Sequence, residues 1–100
     1  MKFFTKMVNK EGEERHFNSD GSKYKVVNYI NGKQDGLVIE WNRNGKIVQE
    51  CNYKNGERDG MCKRISGNIV YETEYANGKQ HGIYKETGED YYIEGIYEHG

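Results

Sequence analysis

The chain has 100 residues, enough for one small domain, and only 34% of them are hydrophobic. Its 15 basic and 16 acidic side chains leave a net charge of -1, which gives no electrostatic drive toward nucleic acid or anionic lipid. A mean hydropathy of -1.08 approaches that of disordered chains, but proline is absent, and tyrosine and glycine recur at regular intervals, which argues for strands instead.

In chain order, residues 1–9 read as a degenerate capping unit with a strand near residues 2–8. Lys6 and Lys10 interrupt the apolar start, so neither a secretory signal nor a transmembrane segment is predicted. A cytoplasmic location follows as the expectation. Further strands are predicted near residues 13–18, 23–30, 36–42, 46–53, 60–65, 69–76, 82–86 and 91–97, from apolar residues that alternate with period two and from the turn residues between them. Leu37, Ile39 and Trp41 oppose Glu40 and Asn42. Ile47, Cys51 and Tyr53 oppose Glu50 and Asn52, and Tyr71, Thr73 and Tyr75 oppose Glu72 and Glu74. No segment shows helical periodicity.

Two glycine series punctuate these strands. One lies in three similar segments, YINGKQDG from Tyr29, YKNGERDG from Tyr53 and YANGKQHG from Tyr75, with YEHG starting a further copy at Tyr97. The other comprises Gly21, Gly45, Gly67 and Gly88. Gly21 to Gly32, Gly45 to Gly56 and Gly67 to Gly78 are each 11 residues apart, whereas Gly88 to Gly100 is 12. The extra residue predicts a bulge near Gly95. Asp20-Gly21, Asn44-Gly45, Ser66-Gly67 and Thr87-Gly88 read as two-residue turns, the first two favouring type I′. The loops of the first series, such as 31–36, hold two glycines each and read as wider turns. The expected architecture is all-β: an elongated antiparallel meander of β-hairpins, one layer thick, with one apolar and aromatic face. It forms a single domain over residues 1–100, with a first unit at about 1–28, repeats at about 29–52, 53–74 and 75–96, and a partial copy at 97–100.

The Asn-Gly-Lys-x-x-Gly segments followed by strand, glycine turn and strand resemble the MORN repeat, and more closely the bacterial variant found in the YwqK-type antitoxin family. The resemblance spans about residues 9–100. It implies a binding scaffold that neutralises a toxin protein by tight association. MORN repeats are also linked with phospholipid head groups, for which Lys33, Lys54 and Lys79 are the candidate contacts.

No catalytic constellation is visible. Ser19, Ser22 and Ser66 lack a nucleophile motif, and the Gly-Lys pairs lack the upstream glycine of a phosphate loop. His81 occupies the slot held by Asp35 and Asp59 in its sister loops and by Glu11 in the first unit; His99 takes the slot of Asn31, Asn55 and Asn77. These read as loop substitutions, not metal ligands. No cofactor is expected, and the chain is read as a non-enzyme. Pairing Tyr53 with Gly60 brings Cys51 opposite Cys62, and a packed thiol pair is favoured over a disulfide for a cytosolic chain. The candidate binding residues are Tyr29, Trp41, Tyr53, Tyr75 and Tyr97, four of which recur at spacings of 24, 22 and 22 and would line up along one face. The expected partner is another protein, with self-association through unpaired strand edges as a further expectation.

Overall fold

The computed structural model describes residues 10–98. The strand expected near residues 2–8, and His99 and Gly100, lie outside the described residues. Nine strands follow in chain order: β1 (Gly12–Phe17), β2 (Lys23–Ile30), β3 (Lys33–Gln34), β4 (Gly36–Trp41), β5 (Ile47–Lys54), β6 (Glu57–Ser66), β7 (Ile69–Ala76), β8 (Lys79–Thr87) and β9 (Tyr92–Tyr97). They form one open antiparallel sheet in the order β1-β2-β4-β5-β6-β7-β8-β9, with β3 also paired to β2. The sheet measures 60 × 38 × 15 Å, and its radius of gyration of 16.4 Å exceeds the roughly 12 Å of a compact chain this long. Among the described residues the meander is one layer thick, which accounts for this shape.

The turn chemistry reverses the sequence-based assignment. The type I′ turns lie in the first glycine series. Asn31, Asn55 and Asn77 each have φ of 52°, followed by Gly32, Gly56 and Gly78 at 81°, 87° and 85°. Each Asn-Gly pair closes a tight hairpin, with Ile30 opposite Lys33, Lys54 opposite Glu57 and Ala76 opposite Lys79. The second glycine of each segment, Gly36, Gly60 or Gly82, has φ of 98–103° and marks a bulge inside the strand, not the end of a wide loop.

The other series uses different turns. At Gly21 and Gly45 only the glycine has positive φ, and its N–H donates to the carbonyl three residues earlier, on Asn18 and Asn42. This is a type I turn with a glycine bulge. Ser66 pairs with Ile69, so Gly67 and Asn68 are the central residues there, and only Gly67 has positive φ. Thr87 pairs with Tyr92 across a four-residue loop, which absorbs the extra residue. Gly95 pairs regularly with Tyr84, without the expected bulge.

The bulges are satisfied from the neighbouring strand. Asn28 Nδ2 donates to the Leu37 carbonyl at 2.8 Å, and Asn52 Nδ2 donates to the Met61 carbonyl at 3.4 Å. In the third copy Glu74 occupies this position and accepts the Ile83 N–H at 3.0 Å. Consecutive repeats are also joined at their turns. Glu11, Asp35 and Asp59 carboxylates accept the N–H groups of Asn31, Asn55 and Asn77 at 2.8, 3.2 and 3.3 Å. Beside them, the Gly32, Gly56 and Gly78 N–H groups donate to the carbonyls of Lys10, Gln34 and Arg58. The slot that His81 fills in the last copy therefore belongs, in the others, to a carboxylate that caps the next turn.

The strand register assembles most of the core as a row across one face of the sheet, while Val26, also buried, lies on the other face opposite Ile39. Glu14 opposes Val27, Val38 opposes Cys51, Cys51 opposes Cys62, Cys62 opposes Thr73, and Thr73 opposes Tyr84. Val27, at 1% exposure, and Cys51, at 2%, are the most buried members, and Val38, Cys62 and Thr73 are also buried. Short side chains occupy the middle of this row, and longer ones on both sides cover them. Leu37 and Ile39 do not share this face. They pair with Asn52 and Glu50, so the apolar residues of β4 that meet Cys51 are represented by Val38.

Cys51 and Cys62 are disulfide-bonded, with Cα atoms 4.1 Å apart, which corrects the expected thiol pair. They occupy directly opposed positions with side chains on one face, which brings the sulfurs together. Tyr53 pairs with Arg58 on this side instead of with Gly60, and the bulge at 59–60 restores the opposition of the cysteines.

Candidate functional site

The same register that buries the central row places the tyrosines two residues further along each strand, on the same face. Tyr29 lies between Gly12 and Gln34, Tyr53 between Gly36 and Arg58, and Tyr75 between Gly60 and Gln80; Tyr97 lies beside Gly82. The glycine across from each ring has positive φ, and a Cβ at Gly36, Gly60 or Gly82 would meet Asn28, Asn52 or Glu74 and not the tyrosine. Tyr29, Tyr53 and Tyr75 are half-buried, while Tyr97 is exposed.

On the other flank of the central row, register links Glu40 to Gln49, Gln49 to Arg64, Arg64 to Tyr71 and Tyr71 to Glu86. The two flanks and the buried row between them enclose a groove of about 330 Å³ over β5 to β9. Cys51, Cys62 and Thr73 line its floor. Arg58 and Tyr75 stand on one side, Arg64 and Tyr71 on the other, and Tyr84 and Tyr97 close its far end.

The arginines are ordered by aromatic groups. Arg58 Nε donates to the Tyr53 hydroxyl at 3.4 Å, and Nη1 donates to the Tyr75 hydroxyl at 3.3 Å. Its guanidinium also lies 5.3 Å from the centre of the Tyr75 ring. The hydrogen bond to Tyr53 is the main influence holding Arg58 in its charged form. Arg64 stacks closer, 4.2 Å from the Tyr71 ring centre. Tyr84 meets Tyr97 edge to face at 5.7 Å. At the rim, Glu86 accepts hydrogen bonds from Tyr91 at 2.7 Å and Tyr84 at 2.8 Å. These bonds, the one from Tyr91 first, lower the Glu86 pKa, and Glu86 pushes the Tyr91 phenol up to about 12.

The five sequence-derived candidates divide between sites. Tyr75 and Tyr97 line the groove, and Tyr53 reaches it through Arg58. Tyr29 lines a separate, smaller hollow near Lys10, which lies 4.9 Å from its ring centre. Trp41 is also apart, half-buried with Lys23 5.3 Å from its ring centre. Arg58, Arg64, Tyr71 and Tyr84 were not singled out from the sequence. Stepping 11 residues from Cys51 to Cys62, Thr73 and Tyr84 finds the floor, and the residues two places to either side of it find most of the rim. Among the described residues, no group of three or more His, Cys, Asp or Glu is placed to hold a metal ion.

A family model for a MORN repeat variant matches residues 34–55. The matched segment runs from the end of β3 through β4 and β5 into the next Asn-Gly turn, which is one structural unit of this sheet. The repeat unit is thus similar to the MORN repeat variant, and the register carries the same plan into the neighbouring units. Comparisons with curated proteins and with solved structures give no match.

Proposed function

We propose that this chain is a non-catalytic repeat scaffold that binds another protein through its tyrosine- and arginine-lined face, in the manner of an antitoxin or immunity protein. The observation that carries this reading is the convergence of Arg58, Arg64, Tyr71 and Tyr75 on one groove of a single-layer sheet. Tyrosine and arginine bring large contact area and directed hydrogen bonds at modest entropic cost. The similarity to a MORN repeat variant supports a scaffold, and the resemblance to YwqK-type antitoxins supplies the toxin as the class of partner.

The test is co-purification with the product of the adjacent gene. A stoichiometric complex by size-exclusion chromatography with light scattering, together with restored growth when that product is toxic, is the expected result. No complex, or a complex unaffected by Tyr75→Ala and Tyr71→Ala together, counts against the reading.

A second reading concerns the outer edge of β9. Ile96 is 75% exposed, and Ile93 and Tyr92 beside it are also exposed. An edge strand with apolar side chains on both faces favours pairing with a second copy. A monomer by light scattering at millimolar concentration removes this reading.

A further inference from the structure

We infer that the groove receives a carboxylate-bearing extended segment of its protein partner, with Arg58 and Arg64 as the two anchoring cations. The inference rests on the scaffold reading above and specifies its ligand.

The argument comes from how charge is distributed between the two faces. On the face opposite the groove, register places Glu50 across from Lys63, Lys63 from Glu72, Glu72 from Lys85, and Lys85 from Glu94. Every cation of that row has an acid directly across the strand on each side. The groove face is different. Arg64 lies between Gln49 and Tyr71, and Arg58 is paired with Tyr53. The groove's lining holds Lys63 and the two arginines but no acidic residue; the nearest acid of that flank, Glu86, stands at the rim across from Tyr71 and is occupied by Tyr84 and Tyr91. Among the described residues neither the arginines nor Lys63 and Lys85 form an ion pair, so the contrast lies in which groups stand across the strand: acids beside the lysines, Gln49, Tyr71 and Tyr53 beside the arginines. Their immediate partners are phenol hydroxyls and ring faces, which orient a guanidinium without neutralising it.

Such a guanidinium matches a carboxylate in shape and charge. It offers five N–H donors in a planar fork, and the aromatic groups have already restricted its rotamers. Tyr hydroxyls hold two donors of Arg58, and the ring of Tyr71 covers one side of Arg64, leaving the remaining donors for a ligand. The groove crosses the strands from β5 to β9, a width of about 19 Å at normal strand spacing. An extended segment of about six residues spans that distance. Its other contacts are Tyr84, Tyr97 and the disulfide floor, which suit small or apolar side chains between the acids.

The test uses a fluorescein-labelled peptide alternating glutamate and serine over six residues, blocked at both ends, with a lysine-serine peptide as the opposite-charge control. Fluorescence anisotropy is expected to show saturable binding of the glutamate peptide alone. Arg64→Gln and Arg58→Gln are each expected to weaken it at least tenfold. Arg64 is exposed, so its variant is expected to fold, with the far-ultraviolet spectrum and thermal midpoint as checks. Backbone amide and arginine Nε–H shifts in two-dimensional NMR should move at Arg58, Arg64, Tyr71 and Thr73. Equal affinity of wild type and Arg64→Gln, or shifts confined to the Glu50–Lys63–Glu72 face, overturns the inference. Competition by inorganic phosphate at equal concentration also overturns it, because it marks a general anion site. A natural partner that binds wild type and both arginine variants equally would sink this ligand assignment and leave the scaffold reading intact. Peptide binding without any protein partner would do the reverse.

Discussion

The two faces of this sheet share one backbone and one register, yet they are held by different physics. On one, Val27, Val38, Cys51, Cys62 and Thr73 form a buried row beneath flanking tyrosines and arginines. On the other, Glu50, Lys63, Glu72, Lys85 and Glu94 alternate in sign across five strands, Lys63 and Glu94 exposed and the other three half-buried. A single layer lacks a second sheet to pack against. The comparison shows how it manages: short residues are covered by their own long neighbours on one side, and like charges are kept apart on the other.

Four perturbations test this contrast. The largest effect is expected from the disulfide, which closes a loop between residues separated by 11 positions. Reduction, or Cys62→Ala, is expected to cost about 3 kcal/mol of stability, read as a lower urea midpoint. An unchanged midpoint after complete reduction would show that the buried row needs no covalent link. Next is Val27→Ala, which empties part of the most buried position and is expected to cost about 2 kcal/mol in the same assay.

The opposite face should respond more weakly and to salt. Lys85→Glu sets three acids in line with Glu72 and Glu94 and is expected to cost about 1 kcal/mol in dilute buffer. Most of that loss should vanish in about 1 M salt, where the Debye length falls to about 3 Å. A loss that persists in salt would mean that packing, not charge, holds this face. The smallest effect is at the rim. With the Tyr91 phenol pushed from 10.0 up to about 12, and those of Tyr84 and Tyr92 also raised by Glu86 and Glu94, an ultraviolet titration should show late-ionising tyrosines, and Tyr91→Phe should remove the latest of them. The sign follows from linkage: a raised folded-state pKa means that its contribution to stability is intact below pH 10 and is lost as pH rises toward 12.

The repeat itself was legible because Gly and Tyr carry it directly in their spacing. Tyr29, Tyr53, Tyr75 and Tyr97 occupy equivalent positions on one face. The turn types were harder to read. Each segment such as 31–36 contains two glycines, and the sequence does not say that the first closes a hairpin while the second kinks the returning strand. The Asn-Gly dipeptide was the better guide, since both residues take the left-handed conformation at 31–32, 55–56 and 77–78. Face assignment failed where single strands were read alone. Leu37 and Ile39 look like core residues within β4, but pairing with Asn52 and Glu50 puts them opposite the buried row. Arg58 and Arg64 gave no signal as isolated cations in a charge-rich chain. Their significance appears only once register shows that their cross-strand neighbours are Tyr53, Gln49 and Tyr71.

The joined turns couple each unit to the next. Asp35 accepts the Asn55 N–H and Asp59 accepts the Asn77 N–H, while the Gly56 and Gly78 N–H groups donate back to the Gln34 and Arg58 carbonyls. The coupling is reciprocal, so loosening either unit of a pair loosens the clasp between them. Amide exchange after Asp35→Ala should accordingly quicken at Asn55 and Gly56.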